Sequence, residues 1–179
     1  IIILAMLLTT IAISAQTVKN QSVNLEILGL QYNYEMPLSK ATTVVFHGGL
    51  GGSLGYSSSS LSFYDEVIYE DDKWFYSLSG VIGADFRYYY NLAKRERNGK
   101  DTRKNSADFW AVDLQYVSPA IYEHNMHTKN TFMASPYWGL RRVYKNNWLF
   151  EFHLGLAFGS VGGEFDWGPT FNLKVGYSF

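Results

Sequence analysis

Phe171-Asn172-Leu173-Lys174-Val175-Gly176-Tyr177-Ser178-Phe179 carries an apolar side chain at every odd position and a polar or minimal one at every even position. Successive side chains of an extended chain point to opposite sides, so this spacing predicts a strand with one apolar and one polar face. The same period recurs upstream. Trp148, Phe150, Phe152, Leu154, Leu156 and Phe158 oppose Glu151, His153, Gly155, Ala157 and Gly159, with only Leu149 out of phase. Trp110, Val112, Leu114 and Tyr116 oppose Ala111, Asp113 and Gln115. Tyr76, Leu78, Ile82, Ala84, Phe86, Tyr88 and Tyr90 oppose Ser77, Ser79, Gly83, Asp85 and Arg87. Val44, Phe46, Leu50, Leu54 and Tyr56 oppose His47, Gly49, Gly51, Ser53 and Gly55.

Two segments are less regular. Phe132, Ala134, Trp138, Leu140 and Tyr144 form a face interrupted by Pro136, which lacks the N–H a ladder needs and predicts a bulge or local break. Near the start, the apolar phase changes between Val23-Leu25-Ile27 and Leu28-Leu30-Tyr32-Tyr34; a one-residue bulge within a single strand is the expected cause. Seven strands are read in this way, whereas an antiparallel sheet closing on itself needs an even number. Leu61–Tyr69, turning at Glu70-Asp71-Asp72 into Trp74, is the expected eighth. Short connections are expected at Leu38–Lys40 and Lys145–Asn147, and long polar ones over residues 56–72, 118–130 and 160–168. Lys94–Lys104 is long, yet falls at the end of the short turns. The expected fold is therefore all-β: an antiparallel up-and-down transmembrane β-barrel, most simply of eight strands.

Compartment is read from the N-terminus. Ile1–Leu8 is apolar, small and polar residues run to Ile13-Ser14-Ala15, and Gln16 follows, which predicts a signal peptide over residues 1–15 and a barrel domain over 16–179. The chain opens on Ile1 rather than Met, so a basic segment is expected to precede it. A buried N-terminal helix is the competing reading, but the run lacks helical amphipathicity and is too short to span a membrane. Cysteine is absent, which removes disulfides, thiolate metal sites and Cys nucleophiles. The formal net charge of −1 gives no basic excess for nucleic acid.

Alternation alone does not say which face points out, and a soluble ligand-carrying barrel has the opposite sense: apolar inside, polar outside. The polar face here is rich in Gly and Ser and carries Asp85, Asp113 and Glu151 against Arg87, Arg141 and Lys174. Three acids and three bases can neutralise one another inside a narrow eight-stranded barrel, whose interior side chains fill. These six residues are the expected lumen charge network. The aromatic face would be stranded in water unless it met lipid. Trp74, Tyr76, Tyr88, Tyr90, Trp110, Tyr144 and Trp148 lie near strand ends, where interfacial rings belong.

The terminal Tyr177-Ser178-Phe179, with Phe171, Leu173 and Val175 before it at every second position, resembles the C-terminal signal of outer-membrane β-barrel proteins. The Ser-Ala before Gln16, the run Phe86-Arg87-Tyr88-Tyr89-Tyr90-Asn91-Leu92 and the hairpin Arg142–Trp148 are similar to small outer-membrane barrels of Bacteroidetes-type bacteria. That resemblance covers the chain beyond the signal peptide. It implies a bacterial outer-membrane location, recognition by the barrel-assembly machinery through Phe171, Leu173, Val175, Tyr177 and Phe179, and outer-membrane lipids as partners. It implies no cofactor and leaves any extracellular ligand unknown.

Residues that could carry chemistry are few. Deacylase-type barrels acting on lipid A use a His and Ser two residues apart, a spacing absent at His47, His124, His127 and His153. His153 shares a face with Glu151, which could orient an imidazole as a base, although a lumen ion pair explains the juxtaposition more simply. Glu123, His124 and His127 have a spacing compatible with a metal, but a surface loop acquires such residues readily by chance, so no metal site is expected. Lys94-Arg95-Glu96-Arg97 with Lys100, Arg103 and Lys104 could meet anionic head groups or simply form a solvated turn. Gly48-Gly49-Leu50-Gly51-Gly52 lacks the Lys-Ser/Thr of a phosphate loop and lies inside a strand. The functional expectation is a structural or surface-interaction barrel that is not an enzyme, with a narrow pore and a lipid-A-modifying enzyme as the alternatives.

Overall fold

A computed structural model describes residues 16–56 and 74–179. The expected signal peptide and the Leu61–Tyr69 segment lie outside these residues. Eight antiparallel strands form one closed barrel: β1 (Asn20–Glu26), β2 (Gly29–Pro37), β3 (Thr42–Tyr56), β4 (Trp74–Tyr88), β5 (Asp108–His124), β6 (Thr131–Val143), β7 (Trp148–Val161) and β8 (Glu164–Ser178). Every strand pairs with its sequence neighbours, and β1 closes on β8 through the run from Ser22↔Ser178 to Glu26↔Lys174.

The eighth strand is found where a bulge was expected. Glu26 pairs with Gly29 around a tight turn at Ile27–Leu28, so the first segment is a hairpin of two strands. A two-residue turn sets Leu25 opposite Leu30 and Val23 opposite Tyr32, returning both apolar sets to the outer face. The change of phase is thus the signature of a turn. At Pro136 the break takes a milder form: the β6–β7 register has no pairs at Ser135 or Pro136 but resumes in step at Tyr137↔Gly155, without a bulge. A register shift occurs instead between β4 and β5, around Ser79 and Val81, opposite a β5 stretch containing Pro119.

The long loops expected over 118–130 and 160–168 are mostly strand. β5 continues to His124, and β7 and β8 meet at a turn over Gly162 and Gly163. Both glycines have positive φ, 56° and 99°, which L side chains rarely adopt. At the other end, Asn146 and Asn147 adopt φ of 67° and 64° in the β6–β7 turn; Asn tolerates this region better than most residues.

Both described chain termini, the β2–β3 and β6–β7 turns and the β4–β5 connection share one end. That connection contains α1 (Leu92–Arg97) and a short 3-10 turn at Arg103–Asn105. It folds across the barrel mouth. Asn105 exchanges two hydrogen bonds with the Val18 backbone, at 2.8 and 2.9 Å, and the Lys104 ammonium donates to the Ser178 carbonyl at 2.5 Å. Tyr89, Leu92, Ala107, Phe109, Ala111 and Tyr137 pack into the molecule's one buried apolar cluster among the described residues. We call this the closed end.

Candidate functional site

Strand alternation turns the six expected charged residues to one side of the wall. Asp85, Arg87, Arg141, Glu151 and Lys174 are all buried in the lumen, and Asp113 faces the same way. At the centre lies Arg87, 1% exposed, whose guanidinium meets Asp85 at 2.7 Å and Glu151 at 3.0 Å and lies 4.7 Å above the Phe109 ring. Arg141 meets Glu151 at 3.2 Å and Glu35 at 3.4 Å. Tyr137 donates its hydroxyl proton to Asp85, and Tyr89 and Thr43 donate theirs to Glu35, all at 2.7–2.8 Å. Such charge-assisted bonds are what make a buried charge tolerable.

The six expected residues do not form one network. Lys174 pairs with Glu26 at 2.8 Å and donates to the Gln31 amide oxygen at 3.1 Å. Asp113 pairs with His47 at 2.9 Å, although it sits directly across from Asp85 in the β4–β5 register. His153 meets Glu151 at 2.6 Å and stacks on Tyr137, with ring centroids 4.3 Å apart. Glu26, Glu35 and His47 were missing from the expected set. The lumen therefore holds Glu26, Glu35, Asp85, Asp113 and Glu151 with Arg87, Arg141 and Lys174, and His47 and His153 lie within hydrogen-bond distance of Asp113 and Glu151. Glu26 lies between the outward Leu25 and Ile27, and Glu35 follows the outward-phase Tyr34, so the inward phase of both was already in the sequence.

No protein-family model, curated protein or solved structure matches this chain. Function is accordingly read from geometry.

Above the ionic layer the lumen opens into a cavity of about 260 Å³. Its floor includes His47, Asp85, Asp113, Tyr137, His153 and Lys174, and its walls carry Ser53, Ser77, Ser79, Gln115, Thr131 and Asn172. Ile27, Leu28, Ser118, Thr128 and Lys129 line it towards the rim opposite the closed end. Glycine makes part of this shape: at Gly83 a Cβ would come within 2.5 Å of the His47 ring, so its absence gives the imidazole its place. Walls of mixed polar and apolar side chains, a charged floor and a blocked base make a blind cup.

The other singled-out motifs resolve into local structure. Glu123 accepts from the Thr128 N–H at 3.0 Å and the Thr128 hydroxyl at 3.1 Å, and meets His127 at 3.0 Å. The Thr128 backbone bond chiefly holds its carboxyl below the usual range. His124 stacks on Tyr76, with centroids 5.1 Å apart, so the three candidate ligands do not converge. Among the described residues no group of three metal-ligating side chains does. Gly49 serves close approach between β2 and β3, since a Cβ there would overlap the Leu30 carbonyl.

The outer face is the complement of the lumen. Leu25, Phe46, Ile82, Leu114, Phe132, Leu154 and Phe171 are each 50–64% exposed, while Arg87 and Glu151 are each 1% exposed. Trp110, Tyr88, Tyr90, Tyr144 and Trp148 are exposed towards the closed end, and Trp74, Tyr76, Tyr122 and Trp167 towards the open one.

Proposed function

We propose that this chain is an integral outer-membrane β-barrel with a structural or surface-interaction role, its outer face in lipid and its blind cup facing the cell exterior. The inversion of faces carries this reading: aliphatic and aromatic side chains point outward around the middle of the barrel, while Glu26, Glu35, Asp85, Arg87, Asp113, Arg141, Glu151 and Lys174 pair within it and the other charged strand residues lie towards the two ends. In water that arrangement would expose a continuous apolar belt far larger than soluble monomers carry. In hydrocarbon it is the stable one, because a closed sheet satisfies its own backbone and the two aromatic girdles sit at the interfaces. Termini and short turns at one end match the periplasmic side of such barrels, and the cup then opens outward.

The ionic layer supports a surface role over conduction. A pore would have to pass the Arg87–Glu151–Arg141 layer and the Phe109–Tyr137 cluster, all packed within the barrel. The lumen histidines are held by Asp113 and Glu151, which fits structural hydrogen bonding.

Substitution on the outer face tests the reading. Leu154 is 54% exposed, so Leu154→Arg in a water-facing wall changes stability by no more than about 0.5 kcal/mol. In a lipid-facing wall the cost is about 2–4 kcal/mol near the bilayer midplane. Urea unfolding of protein inserted into phosphatidylcholine vesicles separates the two outcomes, and an unchanged midpoint contradicts the proposal.

A further inference from the structure

Charge is distributed between the two ends of this barrel as unevenly as hydropathy is between its faces. Lys19, Lys40, Lys94, Arg97, Lys100 and Lys145 are all exposed at the closed end. The carboxylates nearby are mostly spent: Asp101 meets Arg103 at 2.7 Å and Asp108 meets Arg142 at 2.6 Å, which leaves Glu96 among the described residues. At the opposite rim the balance reverses, with Glu123, Glu164 and Asp166 against Lys129.

The placement of the cations decides what they meet. Lys19 precedes β1, Lys40 lies in the β2–β3 turn, Lys94, Arg97 and Lys100 lie in the β4–β5 connection, and Lys145 lies in the β6–β7 turn. Every junction at this end therefore contributes, and the positive charge runs around the barrel as a collar. A soluble partner docking from one side would need a patch; a collar fits an annulus. The collar also adjoins outward rings: the Lys19 ammonium lies 4.9 Å from the Tyr34 ring centroid, and Lys145 lies between Tyr144 and Trp148 in sequence. Interfacial aromatics place a flanking lysine at head-group depth, where its stem covers apolar surface and its ammonium reaches phosphate.

We infer that the closed end is a recognition surface for anionic phospholipid head groups in the leaflet around it. The inference rests on the membrane reading above and adds a lipid preference and a polarity that reading does not require. Juxtamembrane cations gain from a negatively charged leaflet, and salt screens the gain.

The test inserts the full chain into vesicles of phosphatidylcholine alone, or with one-third phosphatidylglycerol, and reads the urea unfolding midpoint at low and high salt. Phosphatidylglycerol is expected to lower the unfolding constant by on the order of tenfold at low salt, and high salt to remove most of that gain. The triple variant Lys40→Glu, Lys94→Glu, Lys145→Glu keeps its stability in phosphatidylcholine and loses the phosphatidylglycerol increment; the Lys→Gln triple loses part of it. An increment missing from the wild type, or retained in the Glu triple, overturns the inference while leaving the membrane reading intact. Failure to insert into phosphatidylcholine overturns both. A barrel that ignores phosphatidylglycerol yet retains poly-L-glutamate through Lys40, Lys94 and Lys145 assigns the collar to an acidic soluble partner instead.

Discussion

Replacing Arg87 with Met isolates the energetics of the lumen. The guanidinium is the only ionic partner that Asp85 has among the described residues, and Asp85 is 3% exposed. Without it, Asp85 keeps one hydrogen bond, from Tyr137 at 2.8 Å, while Glu151 keeps Arg141 and His153. The damage therefore concentrates on one stranded carboxylate. Removing one member of a buried pair costs about 3–5 kcal/mol, most of it the uncompensated desolvation of the survivor. Met preserves most of the apolar stem that packs over Phe109, so packing loss contributes little. Adding Asp85→Asn removes the orphaned charge and keeps an acceptor for Tyr137. The double variant should accordingly be more stable than Arg87→Met alone by at least about 1 kcal/mol. Urea titrations of the single and double variants in phosphatidylcholine vesicles, compared at constant m value, give the coupling. Strictly additive losses, or a single variant within experimental error of wild type, would refute the claim that these charges are buried and mutually dependent.

Gly139→Ala should destabilise the barrel by about 1–3 kcal/mol, because a Cβ there overlaps the fully buried Phe109 ring; equal melting temperatures in detergent would show that the ring has room to move. Acidification should loosen the β5–β6 connection late. Glu123 has its carboxyl pKa lowered by the Thr128 hydrogen bonds, so the stability it contributes is fully present above the ordinary carboxylate range and is lost only as pH falls through the depressed value. Amide exchange at Thr128, measured against Glu123→Gln, should remain slow in the wild type through that ordinary range; early loss of protection contradicts the assignment.

Most of the wall was legible because lipid or water on one side and a packed lumen on the other impose a two-residue period. Where that contrast fades, so does the signal. In the outer halves of β5 and β8, around Ala120–His124 and Glu164–Gly168, neither face is buried; their backbone ladders continue without regard to side-chain polarity and read as loop. The β1–β2 turn escaped for a different reason. Ile27 and Leu28, its two central residues, are both aliphatic and exposed, so the change of phase and the single Gly29 that follows them were the only marks of the turn. Inward orientation of Asp85, Arg87, Arg141, Glu151 and Lys174 followed from phase alone. Partner choice did not, because strand stagger around a barrel decides which lumen side chains share a level. Asp113 thus finds His47 on β3, two strands away, and Lys174 finds Glu26 across the β1–β8 closure.

The central claim, that the aromatic and aliphatic face meets lipid, is tested most directly in β8. The chain has no native cysteine, so Phe171→Cys, Asn172→Cys and Leu173→Cys each give a single attachment site for a fluorophore. Each labelled variant is inserted into vesicles containing bromine-labelled phosphatidylcholine, and quenching is measured. The structure makes Phe171 and Leu173 exposed on the outer face, with Asn172 between them turned inward and donating to Glu26 at 3.0 Å. Strong quenching at 171 and 173 with little at 172 is the result this account predicts. Quenching that is uniform, absent, or greatest at 172 would contradict it.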